Sequence, residues 1–164
     1  MLDYKIRSCT AKDVRALLEL VKELAESQNS LHKVTATEEG LTRCFFGERP
    51  SAEAIIAEIP GEIIGFAVFF NTNSTYMAKP CLYLEDLYVK EKYRGHGAGK
   101  GLLLKVVSLA HERGCARVDW LVYDWNKSAS DFYRSLGAIV RDEIRPYRLE
   151  SAAIEALVRT SVSS

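Results

Sequence analysis

Leu82-Tyr83-Leu84-Glu85-Asp86-Leu87-Tyr88-Val89, then Tyr93-Arg94-Gly95-His96-Gly97-Ala98-Gly99-Lys100, then the apolar run from Leu102 to His111, read as a strand, a glycine-rich loop and a helix in direct succession. Glycines at 95, 97 and 99 let the backbone pass close to a ligand with its N–H groups turned inward. The helix that starts there adds the positive end of its dipole, and such an assembly binds phosphate or pyrophosphate. Spacing excludes two common versions. A Walker A loop needs G-x-x-x-x-G-K-[ST], but Gly99-Lys100 is followed by Gly101 and the upstream glycine position holds Arg94. The dinucleotide pattern G-x-G-x-x-G fails because Lys100 stands where its last glycine would be. The pattern that fits is R-x-x-G-x-G, from Arg94, Gly97 and Gly99.

Elements on either side alternate between strand and helix. Tyr4 to Arg7 reads as a short strand. Thr10-Ala11-Lys12-Asp13 is a capping box, and Val14, Leu17, Leu18, Val21, Leu24 and Ala25 follow at helical spacing. A second short helix is expected from Thr35 to Phe45. Ala54 to Glu58 and Ile63 to Phe70 read as strands joined by a Pro60-Gly61 turn, with Asn71 to Ser74 as a polar loop. Beyond Gly114, a helix stop, Val118 to Val122 is expected as a strand and Ser128 to Leu136 as a helix closed by Gly137. Ile139 to Asp142 and Tyr147 to Leu149 suit a closing hairpin. No repeat, low-complexity segment or linker interrupts the chain, so residues 1–164 are expected to form one α/β domain with a mixed sheet.

A chain of 164 residues is long enough to bury about two-thirds of its unfolded surface without metals or disulfides. Its 48% apolar and 27% charged residues are ordinary for a globular protein, and its formal net charge is zero. Zero charge gives no drive toward nucleic acid or anionic lipid. Cys9, Cys44, Cys81 and Cys115 are scattered, with no C-x-x-C pair, and His32, His96 and His111 do not pair at ligand spacing, so no metal is expected. Neither a signal peptide nor a run of the ~20 apolar residues that span a bilayer is visible. The expected location is the cytoplasm.

The loop pattern, the acidic pair in the strand before it, and the later Asn126, Phe132-Tyr133 and Leu136-Gly137-Ala138 resemble the Gcn5-related N-acetyltransferase (GNAT) superfamily. Leu82 to Val89, Tyr93 to Gly99 and Asp124-Trp125-Asn126 are similar to its diamine and polyamine N-acetyltransferases, including the spermidine/spermine-like and thialysine-like members. Ile6-Arg7, Lys22-Glu23-Leu24-Ala25 and Phe46-Gly47-Glu48 extend the resemblance over about residues 5 to 140. It implies a GNAT fold: a mostly antiparallel, twisted, mixed sheet of six to seven strands flanked by about four helices, with splayed central strands. It also implies acetyl-CoA as cosubstrate, no metal, a small-molecule primary amine as acceptor, and a homodimer whose C-terminal region helps form the interface.

Acetyl transfer to an amine needs a deprotonated nucleophile, a polarised thioester carbonyl and a protonated thiolate. An alkyl ammonium has a pKa near ~10, so a base must take its proton. Glu85 suits that role, directly or through water, and the resemblance assigns it. Strand alternation sets Tyr83, Glu85 and Leu87 on one face and Leu84, Asp86 and Tyr88 on the other. Tyr133 suits the acid that protonates the departing sulfur. Asn126 suits a bond to the pantetheine arm and equally a helix N-cap. The resemblance places the cofactor along Leu87, Tyr88 and Val89, with the backbone N–H groups of Leu87 and Val89 left free by the splay to polarise the acetyl carbonyl and pair with pantetheine. The loop Arg94, Gly95, His96, Gly97, Ala98, Gly99 and Lys100 takes the pyrophosphate. Glu85, Asp86, Asp124 and Tyr76 are the candidate substrate contacts.

The resemblance has a gap. Ser27-Gln28-Asn29-Ser30-Leu31-His32-Lys33 carries no carboxylate where the polyamine enzymes hold several, and Asn73-Ser74-Thr75-Tyr76 lacks their acid. A short diamine or a lysine-like or thialysine-like amino acid therefore suits the site better than spermine. The competing readings are a protein lysine or N-terminal acetyltransferase and a non-catalytic acyl-CoA-binding module.

Overall fold

A computed structural model of the chain describes residues 2–162. They fall into two compact units, one up to Leu121 and one from Val122 onward.

The first unit is an open five-stranded sheet with helices on both faces. Its strands are β1 (Lys5–Ser8), β2 (Glu53–Ile59), β3 (Glu62–Ser74), β4 (Lys79–Val89) and β5 (Val118–Asp119), and they lie in sequence order across the sheet. The first four pair antiparallel. β5 runs parallel to β4 through two residue pairs only, Leu82↔Val118 and Tyr83↔Asp119. Gly61 adopts φ +82° in the tight turn between β2 and β3, a conformation that favours glycine.

Helix α1 (Val14–Ser27) follows a 3-10 turn at Ala11–Asp13. The Asp13 carboxylate accepts from the Thr10 backbone N–H (2.8 Å) and hydroxyl (2.7 Å), as the capping-box spacing suggests. It also takes Arg7 across 2.7 and 2.9 Å, which ties the helix start to β1. Helix α2 (Glu38–Phe46) begins later than the sequence suggests, because the Thr37 hydroxyl caps it by accepting from the Gly40 N–H at 3.0 Å. Leu17 and Leu20 of α1 and Phe45 of α2 pack with Ala54, Ile56, Phe66, Val68 and Tyr88 on one sheet face. Helix α3 (Ala98–Glu112) lies against β1 to β4 and buries Leu102, Leu103, Val106 and Ala110. The Arg113 guanidinium just past its end stands 5.8 Å from the Phe69 ring, so α3 covers the face that carries Phe69.

The second unit holds α4 (Lys127–Ser135) and α5 (Ser151–Val162). Tyr123 and Trp125 stack at 5.3 Å between ring centroids. Gly137, at φ +88°, follows the end of α4.

The mixed α/β architecture agrees with the sequence reading, with differences in detail. Five strands form among the described residues, against an expected six to seven. The hairpin expected from Ile139–Asp142 and Tyr147–Leu149 does not form there, and α5 follows instead. Pro146 removes a ladder donor within that segment, and a lone two-stranded hairpin is marginal without further strands. Conversely, Asn71 to Ser74, expected as a loop, extends β3, because each of these residues pairs with β4.

Candidate active site

Two register features of β4 set the chemistry. The first is a bulge. Val68 lies opposite Asp86 but Phe69 lies opposite Leu84, so Glu85 is an extra residue with no partner on β3. Tyr83 stacks on Phe70 (5.2 Å), and Phe70 shares its face with Val68 and Phe66 by strand alternation. Asp86 opposes Val68 and Tyr88 opposes Phe66, so both lie on that same face, toward α1 and α2. Counted from Tyr83, Glu85 lies there too. The opposite orientations expected from unbroken alternation are therefore corrected: the bulge turns both carboxylates to one side.

Glu85 is exposed and Asp86 only partly so. Burial, then the neighbouring Glu85 charge, pushes the Asp86 carboxyl up from 3.8 to about 6. Among the described residues nothing donates a hydrogen bond to Asp86 and no cation pairs with it. An under-solvated carboxylate beside a second one is a receptor for a cation.

The second feature is where the β5 ladder stops. The Leu82 N–H donates to Arg117 on the β5 side (3.1 Å), whereas the Lys90 N–H donates to Ile64 on the β3 side (2.9 Å). Backbone groups two residues apart in a strand point the same way, so Tyr88 shares the Lys90 direction, and Leu87 and Val89 turn toward the β5 side. Beyond Tyr83 no strand pairs with β4 on that side among the described residues. The N–H groups of Leu87 and Val89 therefore turn toward the side of β4 that β5 leaves unpaired beyond Tyr83.

The glycine loop follows. Gly95 (φ +77°) and Gly97 (φ +91°) adopt left-handed conformations, and Gly97 caps α3 without any side-chain bond. The first-turn N–H groups at Ala98, Gly99 and Lys100 lack intrahelical acceptors and remain available to an anion. A groove of about 670 Å³ runs beside the loop, lined by Gly95, His96, Gly97, Lys100, Tyr4 and Leu104 among others. His96 Nδ1 lies 2.8 Å from the Arg94 carbonyl. Arg94 Nε donates to the Val89 carbonyl (2.9 Å), and its guanidinium stands 5.5 Å from the Tyr88 ring, so this arginine braces the loop against the end of β4. The Tyr88 hydroxyl donates to Glu23 of α1 at 3.2 Å. Loop, uncapped helix start and cationic side chains together fit a pyrophosphate.

The structure does not bring Tyr76 into this group. It is fully exposed on the turn between β3 and β4, and the six residue steps from Lys79 to Glu85 span about 20 Å of strand. In the second unit, the Asn126 side chain accepts from the Ala129 N–H at 3.1 Å, so the N-cap reading of that residue holds. Tyr133 lies on α4 with its ring 5.1 Å from that of Phe132, and burial pushes its phenol up. Asp124 is exposed. Among the described residues no group of three or more His, Cys, Asp or Glu side chains could hold a metal ion.

Sequence reading missed Glu62. Its carboxylate accepts from Tyr93 Oη (2.6 Å), Lys90 Nζ (2.9 Å) and Lys92 Nζ (3.3 Å), the residues that lead into the loop. The only local signal at Glu62 is the Pro60-Gly61 turn before it; its partners lie some thirty residues on.

A strand that presents paired carboxylates and leads into an uncapped, glycine-lined helix start can hold a pyrophosphate-bearing group near a cation. The profile of the Acetyltransferase (GNAT) family matches residues 15–138. The thialysine N-epsilon-acetyltransferase of Bos taurus is 38% identical over 141 residues, 81% of this chain and 82% of that protein. An L-ornithine N5-acetyltransferase of Arabidopsis thaliana is 28% identical, covering 96% of this chain and 89% of that one. An integron cassette protein from the mobile metagenome of V. cholerae superposes with a TM-score of 0.81 at 24% identity, over 97% of this chain and 99% of that one. The chain belongs to the GNAT acetyltransferase family and is an acetyltransferase. Members of that family use acetyl-CoA as cosubstrate.

Proposed function

We propose that the protein transfers the acetyl group of acetyl-CoA to a primary amine of a small molecule by direct attack in a ternary complex. The preferred acceptor is a short diamine or a lysine-like amino acid, of which thialysine is one. The observation that carries this reading is the β4 bulge, which turns Glu85 and Asp86 to one face immediately before the pyrophosphate-fitting loop. Acetyl-CoA supplies the activated acetyl group. The loop from Arg94 to Lys100 holds its pyrophosphate, Asn126 adds a contact to the pantetheine arm, and the N–H groups of Leu87 and Val89 pair with pantetheine and polarise the carbonyl. Glu85 and Asp86 draw in the ammonium, and Glu85 takes its proton directly or through water. Tyr133 gives the sulfur its proton. A raised phenol pKa keeps it protonated at neutral pH, as an acid must be. Two carboxylates suffice for one ammonium, whereas a long polycation would need more, and residues 27–33 supply none. Asp124, an exposed acid of the second unit, is the remaining candidate contact for a distal amine.

Relatives named for thialysine and ornithine support an amino acid with a terminal amine. A homodimer is part of the proposal: Ile139, Val140, Ile144, Tyr147, Leu149, Ile154, Leu157 and Val158 are all exposed in this chain and suit coverage by a second copy. Coenzyme A release measured over a panel of primary amines tests the reading. Turnover should favour thialysine, lysine, ornithine or short diamines over spermine; no turnover with any small amine would overturn it.

A further inference from the structure

One carboxylate, Glu62, gathers three side chains of the turn from which the cofactor loop departs, one of which, Lys90, also lies 3.8 Å from Glu23 of α1. Val89 ends β4, Lys90 and the 3-10 turn Glu91–Tyr93 follow, and Arg94 opens the loop. Within that four-residue connection, Tyr93 donates to Glu62 at 2.6 Å, Lys90 at 2.9 Å and Lys92 at 3.3 Å. The Lys90 N–H donates to the Ile64 carbonyl of β3 (2.9 Å), the Tyr93 N–H to the Lys90 carbonyl (2.9 Å) and the Arg94 N–H to the Glu91 carbonyl (3.1 Å). The connection is thereby tied at three side chains and one backbone group to the start of β3. The Tyr93 phenol, then Lys90, holds the Glu62 carboxyl down at about 2, so it stays ionised at any working pH.

We propose that Glu62 is a positioning residue for the acetyl-CoA loop: by gathering Lys90, Lys92 and Tyr93 onto one carboxylate it sets the departure angle of Arg94 and thus the aim of the N–H groups from Gly95 to Lys100. This rests on the reading that the loop holds the pyrophosphate. Convergent N–H donors act together only if their common origin is held, and displacements of about 1 Å in such arrays change function by orders of magnitude. The same contacts add little to global stability, because Glu62 and its lysines are partly exposed ion pairs.

Binding of coenzyme A to purified protein, read by titration calorimetry, needs no amine and tests the proposal directly. Glu62→Gln should weaken coenzyme A about tenfold and raise the acetyl-CoA KM alike, with kcat and the amine KM within twofold. Tyr93→Phe should do the same to a lesser degree, and the double variant should lose no more than the stronger single one. Glu62→Asp, which keeps the charge on a shorter arm, should fall between Gln and wild type. A merely structural role predicts a lower melting temperature with unchanged coenzyme A affinity, and that result overturns the proposal. Equal rises in both KM values overturn it as well. Gly97→Val separates the two levels: if it too leaves coenzyme A affinity unchanged, the loop reading itself fails and the proposal falls with it.

Discussion

Replacing Asp86 by Asn should make the protein more stable and less able to bind its amine. In the folded chain the Asp86 carboxyl is pushed from 3.8 to about 6, first by burial and then by Glu85. The folded state therefore holds this proton more tightly than the unfolded state does. Stability from that preference is complete below the unfolded pKa and is lost as pH rises from about 4 to about 6. A shift of roughly two units at 1.36 kcal/mol each is about 3 kcal/mol. Asp86 keeps some contact with solvent, which lowers the expected figure to about 1–3 kcal/mol. Asn resembles the protonated acid in shape and never ionises, so it should escape the whole penalty at pH 8 and almost none of it at pH 4. For a chain of this length the gain corresponds to about 3–10 °C in Tm at pH 8. Paired thermal melts of wild type and Asp86→Asn at pH 4 and pH 8 measure it; titrating groups remote from Asp86 cancel in the difference, and the relief of the neighbouring Glu85 charge belongs to the same effect. An Asn variant no more stable at pH 8, or one whose Tm difference is the same at both pH values, refutes the argument that this carboxylate is held in wait for a cation. The same substitution should raise the amine KM and spare that of acetyl-CoA.

Tyr133→Phe should lower kcat by about 10²–10⁴-fold with little change in the amine KM, since the ring still fills its space; full turnover across the pH range would rule the phenol out as the acid. Glu85→Gln should also slow turnover, and raising the pH should rescue it in part by supplying free amine, which a rate profile from pH 7 to 10 would reveal. Gly97→Val places a branched side chain at φ +91°, at a strain of about 1–2 kcal/mol, and should raise the acetyl-CoA KM strongly. Gly99→Ala, by contrast, brings a Cβ only to within 3.7 Å of Val89 Cγ2 and should fold normally. Asp13→Asn should destabilise at neutral pH: Arg7 holds the Asp13 carboxyl far below its ordinary range, so its contribution exists above the unfolded pKa and is lost as pH falls through that range. The Tm difference between Asp13→Asn and wild type should shrink accordingly in acid.

What the sequence by itself determined is what depends on neighbours along the chain. The R-x-x-G-x-G loop opening α3, the Thr10/Asp13 capping box, the Pro60-Gly61 turn and Asn126 at the start of α4 are each a residue type required by local geometry, so each was legible without the fold. The acidic pair Glu85-Asp86 was visible as well, but not its orientation. Strand periodicity assumes an unbroken ladder, and only the registry of β4 against β3 reveals the extra residue that turns both carboxylates to one face and leaves Asp86 hard to ionise. The end of the β5 ladder at Tyr83, which leaves the Leu87 and Val89 N–H groups without a β5 partner, is likewise a property of two strands far apart in the chain. Tyr76 shows the converse: a plausible polar loop residue in the sequence, it stands on the far turn of the hairpin once the strands are paired. Glu62 was unreadable for the same reason, because nothing near it in sequence hints that Lys90, Lys92 and Tyr93 meet there. Local backbone chemistry is encoded residue by residue, whereas strand register and convergent side chains are set by the summed packing of the whole sheet, which only the tertiary structure decides.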